Sequence, residues 1–207
     1  TIISNLLLNP NFYRNQFDIV YIISNTINND QTSRFLKEQY PETVFDTYSD
    51  STIQNIIDYQ KSFSKEEQPF IAIILDDFLG IKSKSMIFHL ATRARHYNIG
   101  LLLFASQLFR GLPPVLRQNA TFAIIGGPNP SDFEINKMAE EFGGTYGGDK
   151  NFVKLYKQAT NLPYNFLYLD LQSNPALAYR NFSEVIYKSV FNNGDNENNE
   201  NNENNEK

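Results

Sequence analysis

Three stretches of the chain are continuously apolar rather than alternating: residues 19–24 (IVYIIS), 70–75 (FIAIIL) and 99–106 (IGLLLFAS). Continuous runs of this length, rich in β-branched and aromatic residues, mark strands covered on both faces. Between them the apolar positions recur at helical spacing. Residues 31–39 predict a helix with Asp30 as N-cap, and 51–63 a second, its inner face carrying Ile53, Ile56, Ile57 and either Tyr59 or Gln60. Residues 84–97 predict a third. The opening residues 1–8 form a helix stopped near Pro10, and 43–45 a short strand. Further on, 121–125 predicts a strand and 131–142 a helix closed by Gly143-Gly144. A shorter helix over 152–159 and strands over 166–171 and 177–180 follow. Buried strands alternating with helices predict a three-layer α/β fold with a mainly parallel sheet. Ligands of such sheets bind beyond the carboxyl ends of the strands. Asp76-Asp77 stand at one such end and Ser106-Gln107 at another.

Composition narrows the classes. The chain has 207 residues, 41% of them hydrophobic and 14% aromatic, enough for one α/β domain. It has no cysteine, which excludes disulfides, thiolate catalysis and cysteine metal sites. The apolar runs are too short to span a bilayer, so no membrane insertion is expected, and the first residues lack the basic flank of a signal peptide. The formal charge of −5 is concentrated in residues 192–207, NNGDNENNENNENNEK, whose five acids and one lysine leave −1 for everything before them. Low complexity and the lack of apolar residues predict a disordered tail there. Residues 1–191 are then one domain.

An apolar strand ending in two acids is the Walker B pattern of P-loop NTPases. Asp76 would orient a Mg²⁺ through its water shell, and Asp77 would polarise the attacking water. Adjacent residues at a strand end splay apart, so each carboxylate can face a different group, and a nearby cation relieves their repulsion. Gln107, at the end of a neighbouring strand, can donate to a phosphate and accept from water at once. Arg110 and Arg117 carry the planar donor fork that suits a transferring phosphoryl group, often supplied by a neighbouring subunit. Arg93 and Arg95 close a helix, where cations also complement the dipole. His89 and His96 are seven residues apart, too far for a helical metal pair.

Taken in tandem, LDDFLG, TRxRHYNI and SQxFxxLPPxxRxNA give the chain a closer likeness. The runs PFIAIILDDFLG, FHLATRARHYNIGLLLFASQLFRGLPPVLRQNATFAII, EINKMAEEFGG and NFLYLDLQSNPALAYRNF resemble the DNA-packaging ATPases of nucleocytoplasmic large DNA viruses and virophages. These are the poxvirus-type members of the FtsK–HerA superfamily. The resemblance implies a RecA-like ASCE core in a homo-oligomeric ring, a hexamer or pentamer. That ring would use ATP and Mg²⁺ to drive double-stranded DNA into a preformed capsid through capsid or portal partners. It implies a place in the host cytoplasm, at the viral factory, and in the virion. Asp76 and Asp77 match the family's Walker B acids and Gln107 its sensor, while Arg117, and less directly Arg110, lie where an arginine finger is sought. Lysines and arginines between Lys82 and Arg117 are the candidate DNA contacts, giving salt-dependent, sequence-independent affinity.

The family also carries a phosphate loop, GxxxxGK[ST], and no such sequence occurs in this chain. TIISNLLLNP resembles the helix that follows it, with Thr1 as the loop's last, Mg²⁺-coordinating residue or the one after. The expectation is a RecA-like core lacking its first strand and phosphate loop, with an unfilled slot between strands. Alternatives are a chromosome or conjugative translocase, which usually brings large extra domains, and a non-catalytic RecA-like subunit that only joins an oligomer or binds DNA. A chain without the loop's lysine and amide cradle should bind ATP poorly. Titration calorimetry of the 207-residue chain with ATP should show no saturable heat, and tight binding would overturn this expectation.

Overall fold

The structure, a computed structural model, describes residues 2–29, 34–77, 85–127 and 130–189. The elements in chain order are α1 (Ile2–Leu8), β1 (Ile19–Ser24), α2 (Arg34–Gln39), β2 (Val44–Phe45), α3 (Asp50–Lys61), β3 (Ile71–Asp76), α4 (Met86–Arg93), β4 (Ile99–Phe104) and α5 (Pro114–Gln118). They are followed by β5 (Phe122–Gly126), α6 (Asp132–Phe142), α7 (Asp149–Ala159), β6 (Phe166–Asp170), β7 (Leu177–Arg180) and β8 (Glu184–Lys188). The chain divides into two compact units, residues 1–120 and 121–207.

In the first unit β1 to β4 form a parallel sheet in the order β2-β1-β3-β4. β3 shows why the continuous apolar run predicts it: Ile71 to Leu75 are all buried, at 1% exposure or less. One face of the strand, Ile71, Ile73 and Leu75, packs with Ile53, Ile56 and Ile57 of α3, Ile87 and Leu90 of α4 and Leu116 of α5. Val20, Ile22, Ala72 and Ile74, which alternate with that set, are buried as fully. Both faces are therefore covered. The mixed α/β fold with a parallel sheet is as expected.

The second unit departs from the expectation of a mainly parallel sheet. β5 to β8 form a separate antiparallel sheet in chain order. The connections explain it. Six residues join β6 to β7 and three join β7 to β8, and parallel neighbours need a crossover of a dozen or so. Its core comprises Phe142, Tyr146, Phe152, Leu155, Tyr156 and Leu167 with their buried neighbours.

A second correction concerns the slot expected in the parallel sheet. β3 and β4 are hydrogen-bonded neighbours, Ile71 to Leu75 pairing along Ile99 to Phe104, and Leu75 still accepts from the Ala105 amide at 2.8 Å. Unpaired backbone groups at this depth would each cost a lost hydrogen bond, so the two strands close on one another. Their register slips by one at Gly100, where the pairing steps from Ile99 to Leu101. The Phe70 ring lies on that glycine, and a Cβ there would come 2.0 Å from the ring.

Smaller differences have local causes. The helix expected over 84–97 is α4 followed by a 3-10 turn, Ala94–Tyr97, ended by Asn98 in the left-handed region. Of the two candidates for the inner face of α3, Gln60 is buried and Tyr59 exposed, because the Gln60 amide donates to the Pro69 carbonyl. Gly143 ends α6 with right-handed backbone. Among the described residues the left-handed glycines are Gly147 and Gly148, and α7 begins at Asp149, three residues before the predicted start. α5 and β8 are additions. Asp30, and the acidic tail over 192–207, lie outside the described residues.

Tyr146 ties the second unit together. Its ring is buried and its hydroxyl donates to the Asp170 carbonyl at 2.9 Å. Burial, then the nearby Asp170 carboxylate, pushes its phenol well above the ordinary value of 10.0. The folded chain holds this proton where the unfolded chain loses it, so the stabilisation is complete below pH 10.0 and declines as pH rises further. Tyr146→Phe should cost about 1 kcal/mol near neutral pH through the lost hydrogen bond. The gap to wild type in urea denaturation should narrow above that pH. A constant gap would contradict the assigned cause.

Candidate active site

The parallel register places the site. Ser24 and Asp76 end β1 and β3 and are direct register partners, so their side chains leave the sheet on the same face. The Ser24 hydroxyl donates to Asp76 Oδ2 at 3.2 Å and lies 3.3 Å from the Thr26 hydroxyl. Ser24 is buried and Asp76 half-buried, so this carboxylate is held in one place at the rim of the sheet.

The next residue turns away. Asp77 has φ +51°, in the left-handed region that L-residues seldom occupy and aspartate tolerates better than most. That turn carries its carboxylate toward β4. Two residues beyond the segment that pairs with β3, the Gln107 side-chain amide donates to Asp77 Oδ1 at 3.1 Å. Each carboxylate of the pair therefore has its own neutral dipole, a hydroxyl on Asp76 and an amide on Asp77. Adjacent charges are kept apart by backbone geometry, and both face a strand end rather than the core.

The start of α4 is anchored to α3. Asp50, first residue of α3, accepts from the Met86 amide at 2.9 Å and from the Ser85 hydroxyl at 3.0 Å. The Tyr48 hydroxyl bonds the same carboxylate and meets the Ser85 hydroxyl at 2.6 Å. Burial, and then the bond to Asp50, raise the Tyr48 phenol far above its ordinary range. One carboxylate thus serves the N-terminal ends of two helices, where negative charge is favoured. It ties the end of the segment after Asp77 to the loop after β2.

The other candidates are placed as follows. Arg117 lies on α5, its guanidinium donating to the Leu112 carbonyl at 2.6 Å and stacked 4.6 Å over the Phe109 ring. Arg110 is exposed in the 3-10 turn Phe109–Gly111. Arg93 and Arg95 are exposed at the end of α4 and in the turn after it. His89 bonds the Tyr97 hydroxyl at 2.7 Å. Thr1, Lys82 and Lys84 lie outside the described residues. The structure brings together Asp76, Asp77 and Gln107, and adds Ser24, which sequence reasoning took only as the end of a strand. The polar terminus of an otherwise apolar IVYIIS run is the signal that marks it.

No protein-family model matches the chain, and no curated protein matches it. Solved structures do. The crystal structure of B204, the DNA-packaging ATPase of Sulfolobus turreted icosahedral virus, superposes with a TM-score of 0.52 at 16% identity, covering 83% of each chain. The genome packaging NTPase B204 of Sulfolobus turreted icosahedral virus 2, in complex with AMP, gives 0.52 at 20% identity, again over 83% of each. The fold is that of a RecA-like P-loop ATPase. At these identities the likeness shows the fold alone, and the chemistry rests on the residues above.

The backbone of Asp77 gives a test of the site's geometry. Asp77→Gly and Asp77→Ala both remove the carboxylate and its bond to Gln107. Only alanine must carry the left-handed backbone with a Cβ, at a cost of about 1 kcal/mol. The glycine variant should therefore be the more stable in urea denaturation. Equal midpoints would mean that the turn relaxes when the carboxylate is lost.

Proposed function

We propose that the chain is the catalytic core of an ATP-driven motor that moves double-stranded DNA, a genome-packaging ATPase of the type found in nucleocytoplasmic large DNA viruses and virophages. The observation that carries the proposal is the contact between Gln107 and Asp77, beside Asp76, at the carboxyl ends of parallel strands. The B204 structures support it as packaging ATPases of the same fold, one of them holding AMP.

In this reading Asp77 accepts hydrogen-bonding from the attacking water and orients it. Gln107, already hydrogen-bonded to Asp77, senses the γ-phosphate with its remaining amide donor and couples it to the same carboxylate. Asp76 and Ser24 present hard oxygen donors of the kind that hold Mg²⁺ through its water shell. That ion, when bound, neutralises charge on the phosphates. Arg117, or Arg110, acts on a neighbouring subunit's nucleotide in a homo-oligomeric ring, and Thr1 serves the metal if it ends a phosphate loop. Arg93, Arg95 and Arg110 are exposed cations that fit a DNA backbone. Capsid or portal proteins are the partners, and the viral factory and virion the location, that this role requires.

A second reading is favoured by one observation. β3 pairs directly with β4, so the position expected for a further central strand is closed. A non-catalytic RecA-like subunit would look the same. ATP turnover separates the two. The chain, together with any residues its gene encodes ahead of Thr1, should hydrolyse ATP faster when double-stranded DNA is added. Asp77→Asn should lower that turnover by about a hundredfold or more. Turnover unchanged in the variant would remove Asp77 from the chemistry, and DNA binding without turnover would favour the second reading.

A further inference from the structure

A second group of basic residues belongs to the unit formed by residues 121–207, whereas the stretch between Lys82 and Arg117 belongs to the first unit. Lys150, Lys154 and Lys157 are all exposed on α7. At about 100° per residue they lie within about 60° of one another, on the side opposite Phe152, Leu155, Tyr156 and Ala159, which are buried. No acid interrupts the sequence from Lys150 to Leu169, in a chain whose net charge is −5. Among the described residues none of the three lysines is in an ion pair. Helix stability accounts for Lys157, in the last turn of α7, but not for the whole stripe. Lys150 sits in the first turn of α7, where a cation opposes the helix dipole.

The turn that follows α7 is unusual. The Asn165 amide donates to the Leu162 carbonyl at 3.2 Å, closing a four-residue turn with Pro163 and Tyr164 at its centre. Tyr164 has φ +66° and is 97% exposed. This position of such a turn belongs to glycine or asparagine. Here a bulky aromatic side chain occupies it with no burial to compensate, and Leu162 beside it is 61% exposed. Strain of this kind, held at an exposed tip, marks a contact surface rather than a structural need.

We propose that the lysine face of α7 and the Tyr164 turn together form a second contact site for the sugar-phosphate backbone of double-stranded DNA. This rests on the reading of the chain as a DNA motor, and it assigns that motor a contact carried by the second unit. The lysines neutralise phosphates along one strand. Tyr164 donates its hydroxyl to a phosphate oxygen and lays its ring against the deoxyribose, contacts that carry no sequence preference.

The experiment measures binding of the full chain to a duplex of mixed sequence across a range of salt concentrations. Three chains are compared with wild type: K150Q/K154Q/K157Q, Y164G and R93Q/R95Q. The triple variant should weaken binding and reduce the slope of log K against log salt by about 2.7. Y164G should weaken binding severalfold at an unchanged slope. It should melt no lower than wild type, since glycine relieves the turn. Full affinity and slope in the triple variant would overturn the proposal, as would unchanged affinity in Y164G. If only R93Q/R95Q loses binding, the DNA-motor reading stands and the second site falls. No DNA binding by any chain would overturn both. Loss of ATP turnover with these effects intact would overturn only the catalytic reading.

Discussion

The register between β1 and β3 is the constraint on which the rest depends. Six consecutive residues of each strand pair in parallel, from Ile19 with Ile71 to Ser24 with Asp76. Because both faces of β3 are sealed by apolar side chains, the strand cannot slide by one residue without exchanging its two buried sets. The polar end of the strand is consequently delivered to a fixed place. Ser24 meets Asp76 there because hydrophobic packing five residues back leaves no other option. The electrostatics of the site follow in part from the core, since the register brings a hydroxyl to the carboxylate at the rim of the buried sheet.

The two aspartates then separate by backbone rather than by side-chain choice. Asp76 continues the strand and remains with Ser24, while Asp77 enters the left-handed region and is turned to Gln107. Holding the chain there costs free energy that the packed sheet and the Asp50 anchor on α4 must offset. Both carboxylates are half-buried, and each is held by its own partner, one by a hydroxyl and the other by an amide.

The parallel sheet was legible because its strands are apolar at every position, a pattern that neither a half-exposed strand nor an amphipathic helix produces. Asp76, Asp77 and Gln107 were legible for the same reason, as polar residues directly after such runs. The contacts of Tyr48, Asp50 and Ser85 were not. They join residues 35 to 37 positions apart whose meeting depends on how two loops leave the sheet. Likewise the choice between Tyr59 and Gln60 was beyond helical periodicity. Both lie at the margin of the apolar face, and a single carbonyl at Pro69 decides for the polar residue. The antiparallel second sheet was hidden by its brevity, although the three residues between β7 and β8 leave room only for a hairpin.

The slip at Gly100 carries a consequence for the far end of its strand. A strand alternates its side chains between two faces, so one extra residue inverts the order for everything after it. Leu102 and Phe104 lie with the odd-numbered face of β3 only because Gly100 is passed over in the pairing. The same offset sets the direction in which the chain leaves the sheet toward Gln107. A glycine beneath an aromatic ring, seven residues away and about 23 Å along an extended chain, therefore works as a phase setter for the polar end. Deleting that single residue would let Leu101 follow Ile99 in unbroken register and keep the same faces, whereas forcing Gly100 itself into the pairing would turn the terminus of β4 to the other side of the sheet.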